Sequence, residues 1–132
     1  MSYTSDRTKR GIASESLSHY YFLKKGYSVL APISHDNPFD FVVLKNGEFK
    51  KVQVKSTISE RVSIRKSSKK HYSEDKAVSV RYKEDEIDLL CLHFISTGNF
   101  YVLEFNQVKG MYMLRESTIK KLDLLFSCKV DE

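Results

Sequence analysis

The dipeptide Asn46-Gly47, set within FDFVVLKNGEFKKVQVKS at positions 39–56, constrains this chain more than any other feature. Both central positions of a type I′ turn need positive φ, which asparagine and glycine tolerate, and that turn joins two antiparallel strands with the correct twist. The flanks FVVL and VQV read as those strands. A two-residue loop then fixes the register: Lys45 opposes Glu48, Val43 opposes Lys50, Phe41 opposes Val52 and Asp40 opposes Gln53. Counted from the turn, Asp40 and Gln53 form a non-hydrogen-bonded pair, with Cβ atoms about 4.5–5.5 Å apart. Lys55, two residues beyond Gln53, lies on the same sheet face. A β-bulge near Pro38 would shift this count by one.

Upstream, the spacing predicts a helix from about Ser5 to Lys25, with Thr4, Ser5 or Asp6 as N-cap and Gly26 taking the left-handed conformation at its end. Ala13, Leu17, Tyr20, Tyr21 and Lys24 form the stripe expected to pack on a sheet. Ile12, Glu15, His19 and Phe22 form a second stripe, which places Glu15 at the margin of the buried face. YSVLA at 27–31 reads as a short strand, and Pro38 interrupts the ladder before the hairpin.

Downstream, RVSIR and AVSVRY alternate like strands around KSSKKHYSEDK and suggest a basic hairpin or extended arm over about 57–83. DLLCLHF and FYVLEF read as a second hairpin, and STIKKLDLLF as a short helix capped at Ser117 or Thr118. Cys91, inside an apolar run, reads as a buried thiol. The expected class is mixed α/β (α+β) in a single domain over 1–132, a size that supports one core. No apolar run is long enough to span a membrane, which points to an intracellular protein.

Charge is unevenly distributed. Lys50 to Lys83 carries 11 basic against 3 acidic residues, within a chain of 22 basic and 17 acidic. A polyanion selects such a surplus because each neutralised phosphate releases counterions. A solvated lysine-rich loop explains the charge alone equally well.

Asp40, Gln53 and Lys55, joined by Glu15 from the helix, have a distinctive chemistry. Two carboxylates and an amide carbonyl are hard oxygen donors suited to Mg²⁺ or Mn²⁺. A lysine beside them can orient water or balance charge developing on a phosphate. Alternating polar residues also occur on the wet face of any strand. The coincidence of the cross-strand pairing, the helical Glu15 and the basic segment favours a site.

The order Glu15, Asp40 after an apolar strand, then Gln53-Val54-Lys55 resembles the PD-(D/E)xK nuclease superfamily. Within it, the pattern is similar to the homing endonucleases of cyanobacterial group I introns, which use the same QxK variant. The resemblance implies a restriction-endonuclease-like core, an N-terminal helix on a mixed central sheet with a basic β-arm. It implies that Glu15, Asp40 and Gln53 hold magnesium (or manganese) and that Lys55 is the catalytic lysine. It further implies sequence-specific hydrolysis of double-stranded DNA by a homo-oligomer, a dimer or dimer of dimers, in the cytoplasm of a bacterial or phage-infected cell. A junction-resolving or restriction-type nuclease, or a DNA-binding module without activity, fits the same residues. Phe39 separates Pro38 from Asp40, and an amide replaces the third acid, so this chain departs from the name-giving pattern twice.

Arg61, Arg65, Lys66, Lys69, Lys70 and Arg81 are the expected phosphate contacts. His19 could orient Glu15 or be structural. His35 and Asp36 lie in a loop near the site, and His71 and His93 have no partner at metal-ligand spacing. FYVLEF, MYML and LDLLF are the expected interface segments.

Overall fold

The computed structural model describes residues 5–73, 76–80, 82–83 and 85–130, and over 66–80 the backbone alone. Helix α1 (Asp6–Lys24) leads into β1 (Ser28–Leu30) and the hairpin of β2 (Phe41–Lys45) and β3 (Glu48–Thr57). Then come β4 (Arg61–Ser63), the antiparallel pair β5 (Lys66–Ser73) and β6 (Lys76–Val80), and the hairpin of β7 (Leu89–Phe94) and β8 (Asn99–Glu104). A 3-10 turn at Phe105–Gln107, β9 (Met113–Arg115), α2 (Glu116–Ile119) and β10 (Leu124–Lys129) complete the chain. The main sheet has the order β1-β2-β3-β7-β8-β10 and is mixed, because β3 runs parallel to β7 while its other pairings are antiparallel.

The turn behaves as its residues require: Asn46 and Gly47 have φ of 53° and 77°. The register follows, with Lys45 opposite Glu48, Val43 opposite Lys50 and Phe41 opposite Val52. Ser5 caps α1 by accepting the Thr8 N–H, and Gly26 at φ 90° turns the chain out of it.

The face α1 turns to the sheet is the predicted one only in part: of the expected stripe, Tyr21 is buried and Leu17 packs beside it. Ser14, Ser18, Tyr21 and Phe22 are buried, while Ala13 and Lys24 are exposed and Tyr20 is 53% exposed. Two serines occupy the closest approach, where their small side chains let the helix settle and their hydroxyls find partners. Ser14 Oγ lies 2.7 Å from His93 Nδ1, and Ser18 Oγ donates to the Ser14 carbonyl at 2.8 Å. A polar side chain can be buried at little cost when its hydrogen bond is made.

Sheet alternation separates two cores. On the α1 side, Tyr21 and Phe22 pack with Phe41, Val43, Val52, Leu89, Cys91, Phe100 and Val102. On the other side, Leu90, Leu92, Phe94, Tyr101 and Leu103 pack against Val62, Ile64, Tyr82, Leu114 and Ile119. The second cover comes from an unexpected pairing: RVSIR joins β9 through β4 rather than pairing with AVSVRY, while β5 and β6 pair with each other.

Two further expectations are corrected. FYVLEF is core, with Phe100, Val102 and Leu103 fully buried, so it is not interface material. STIKKLDLLF is helical only over Glu116–Ile119; Leu124–Lys129 instead forms the strand that pairs with β8, placing Leu124 against one core and Phe126 against the other.

Phe22 is fully buried and meets Phe41, Tyr27 and Phe126 edge-on at 5.1–5.8 Å. Phe22→Ala is expected to cost about 3–5 kcal/mol in urea denaturation, whereas Ile33→Ala, at a side chain 99% exposed, is expected to stay within about 0.5 kcal/mol.

Candidate active site

The site forms where one strand outruns its neighbour. β2 stops at Phe41, whereas β3 continues past Val52 to Thr57. The expected Asp40–Gln53 pair is absent from the ladder. Instead the Asp40 N–H donates to the Val52 carbonyl at 2.8 Å, so Asp40 and Phe41 both lie against one residue, the two-on-one arrangement of a bulge. The Asp40 side chain continues where the strand left off: its Oδ2 accepts the Val54 N–H at 2.7 Å. The bulge therefore changes the pairing and still fixes the carboxylate against β3.

This notch lets groups from both sheet faces meet. Val52 and Val54 turn toward α1, while Gln53 and Lys55 alternate to the opposite face, in register with Leu90 and Leu92. Glu15 comes from α1 and is half-buried, as are Asp40, Gln53 and Lys55.

Electrostatics tie these residues together. Burial raises Glu15 above the usual carboxylate range, the Asp40 charge raises it further, and His35 partly opposes both. Burial also raises Asp40, against the Val54 N–H and the charges of Lys55 and His19. Lys55 is lowered, first by burial and then by Arg7, with Asp40 opposing. His35 in the loop thus acts on Glu15, and Arg7 in the first turn of α1 acts on Lys55.

Glu116 provides a contrast. Burial would raise it, but donors from Tyr101 at 2.6 Å, Asn99 at 2.7 Å and Thr97 outweigh that and hold it below the ordinary range. Glu116 is a satisfied structural carboxylate. Glu15 and Asp40 are crowded acids that a cation would relieve. Among the described residues no cluster of three or more His, Cys, Asp or Glu side chains could hold a metal; Gln53, on the same strand as Lys55, is the residue that could add an amide oxygen to the two carboxylates. The Gln53 amide nitrogen donates to the Val54 carbonyl at 3.3 Å, which leaves its Oε1 as the acceptor end. The donor set is all oxygen and suits a hard divalent ion.

Lys55 Nζ donates to the Arg65 carbonyl at 2.9 Å and sits 5.5 Å from the centre of the Tyr82 ring. Tyr82 was not legible as a site residue, because AVSVRY shows only strand alternation. His19 lies edge-on to Phe41 at 4.5 Å, interacts with Asp40, and has a buried Nε2 without a hydrogen-bond partner. His93 is the partner of Ser14 and is structural.

Arg61 and Arg65 are exposed, and the Arg65 guanidinium stacks on Tyr112 at 4.4 Å. Lys66, Lys69 and Lys70 lie on β5, but their side chains, like the whole of Arg81, fall outside the described residues. Among the described residues no helix is long and apolar enough to cross a membrane.

A helix on a mixed sheet, with Asp40 held against β3 where β2 ends and within electrostatic reach of Glu15 and Lys55, has the architecture of a PD-(D/E)XK endonuclease. The sequence profile of that family matches residues 5–122, and the chain belongs to it. Protein 5.3 of Escherichia phage T7 is 31% identical over 106 residues, covering 80% of this chain and 86% of that protein. The bacterial homing endonuclease I-Ssp6803I shares the fold, with a TM-score of 0.66 over 97% of this chain and 80% of its own, at 21% identity. PD-(D/E)XK nucleases generally use divalent metal ions, and DNA is the substrate class the family implies.

Because its raised pKa means the folded protein favours the protonated form, Asp40 weakens the fold as pH rises from the ordinary aspartate range through the raised value. Asp40→Asn keeps an acceptor for the Val54 N–H and removes the charge. Its thermal stability is expected to match or exceed wild type at pH 8, with the difference shrinking as pH falls through that window. Asp40→Ala leaves the N–H unpaired and is expected to lose about 1–3 kcal/mol.

Proposed function

We propose that this chain is a metal-dependent endonuclease that hydrolyses double-stranded DNA at a defined sequence, with Glu15, Asp40 and Gln53 holding Mg²⁺ or Mn²⁺ and Lys55 as catalytic lysine. The observation that carries the reading is the Asp40 carboxylate, held by the Val54 N–H at 2.7 Å and within electrostatic reach of Glu15 and the half-buried Lys55, in a member of this family. When bound, the cation supplies charge neutralisation at the scissile phosphate and a more acidic attacking water.

The residues around it have separable roles. Asp40, locked by the Val54 N–H, and Glu15, carried on a helix packed against the sheet, hold the cation at a fixed place. Gln53 contributes a neutral oxygen, which lowers the site's negative charge by one relative to a third acid. Lys55 spends one donor on the Arg65 carbonyl and has two left for a phosphate oxygen or the water. Arg61, Arg65, Lys66, Lys69, Lys70 and Arg81 contact backbone phosphates along the arm. The fold shared with a bacterial homing endonuclease is in keeping with this reading.

Cutting both strands takes two such sites and one chain has one, so a symmetric homo-oligomer follows. Its contact surface draws on apolar side chains the fold leaves outside, namely Met111, Tyr112, Met113 and Leu125, exposed at 40–50%.

Incubation with a randomised DNA library and Mg²⁺, followed by sequencing of cut ends, tests the reading. Cleavage at one recurrent sequence is expected. Lys55→Ala is expected to lower the single-turnover rate on the order of 10²-fold or more with DNA affinity within a few-fold; a full-rate variant removes Lys55 from the mechanism. Replacing Lys69 and Lys70 with Ala is expected to weaken duplex binding and flatten its log–log salt dependence by roughly one unit for each phosphate no longer neutralised.

A further inference from the structure

The segment that carries the basic arm leaves the frame at Arg65 and re-enters it at Tyr82, on either side of β5 and β6. Both roots touch the same side chain. Lys55 Nζ donates to the Arg65 carbonyl at 2.9 Å and lies over the Tyr82 ring at 5.5 Å. Each root is in turn fixed to the frame. The Arg65 guanidinium stacks on Tyr112 at 4.4 Å, and the Ile64 N–H donates to the Tyr112 carbonyl at 3.1 Å. Tyr82 is buried and meets Phe105 edge-on at 6.1 Å.

We propose that Tyr82 is a positioning residue for Lys55 and that the two arm roots form a seat through which duplex binding on the arm sets the lysine's place at the phosphate. This deepens the proposed function and rests on it for the role of Lys55. The physical basis is that a lysine stem has four rotatable carbons and an ammonium that any acceptor can capture. One carbonyl hydrogen bond fixes the ammonium's distance to a single point. An aromatic face adds a second restraint by attracting the ammonium to its ring, so two restraints from opposite roots define a position. Anything that moves one root relative to the other moves the ammonium, and a displacement near 1 Å at a reacting centre costs on the order of 10²-fold in rate.

The ring is what matters here, not the hydroxyl. Tyr82→Phe keeps the ring and is expected to cleave within a few-fold of wild type. Tyr82→Leu removes it and is expected to lower the single-turnover rate about 10- to 100-fold while duplex Kd stays within a few-fold. Melting curves for both variants show whether the fold is retained. In a Lys55→Ala background, Tyr82→Leu is expected to have no further effect on rate, because the side chain it positions is gone.

Coupling to the arm has its own readout. Reductive methylation with ¹³C-formaldehyde labels the lysines, and Lys55→Arg identifies the Lys55 signal. In the seat that signal is expected to show a ring-current shift that is absent in Tyr82→Leu and that changes when duplex DNA is added in EDTA, where nothing is cut. Full-rate cleavage by a folded Tyr82→Leu, additive losses in the double variant, or a Lys55 signal unmoved by duplex would overturn the inference. A fully active Lys55→Ala would instead sink the proposed function itself, so the two failures are distinguishable.

Discussion

The hydrogen bond from the Val54 N–H to Asp40 Oδ2 is the interaction on which the rest of the site depends. It sits where β2 has ended and β3 has not, at an edge that would otherwise present an unpaired backbone donor. A carboxylate fills the position a strand carbonyl would have taken. One short bond thereby ends the ladder, satisfies a partly buried N–H, and fixes an acid whose neighbours are Glu15, Lys55 and His19. The strain is electrostatic: burial disfavours the charge that the chemistry requires, and only partial compensation is built into the protein. A bound cation would complete it. Glu116, which has three protein donors and holds its charge readily, is by contrast a carboxylate that serves the fold.

Architecture explains why these groups can meet. Alternation along β3 sends Gln53 and Lys55 away from α1, and Glu15 arrives on α1, so an uninterrupted sheet would keep them apart. The early end of β2 opens the passage between the two faces. The same alternation gives the protein two cores, and the second is what places Tyr82 and the arm roots beside Lys55. Site and arm roots are therefore parts of one packing arrangement.

Much of this was legible in the residues. Asn46-Gly47 dictates a turn so restrictive that the register followed as far as Phe41 and Val52, and a serine before the helix and a glycine after it marked the bounds of α1. The last pair, Asp40 with Gln53, was not legible, because a bulge depends on where the chain enters from the Pro38 loop rather than on the strand itself. The buried face of α1 was read only through Tyr21 and Leu17, since Ser14 and Ser18 look polar until their partners, His93 and a backbone carbonyl, are known. LDLLF fits helix and strand periodicity alike over so few residues, and only the open edge of β8 decides for the strand. Tyr82 and the β4–β9 pairing depend on residues far apart in sequence meeting in space, which local pattern does not encode. The arm's side chains from Lys66 to Arg81 lie outside the described residues, and their role rests on charge.

The central claim is that Glu15 and Asp40 share a divalent cation. Calorimetric titration of Mn²⁺ into the wild-type protein, repeated in two buffers of different ionisation enthalpy near the raised carboxylate range, tests it directly. Saturable binding with net proton release, lost in the Glu15→Gln, Asp40→Asn double variant, is the result this account requires. Identical isotherms for the two proteins would contradict it.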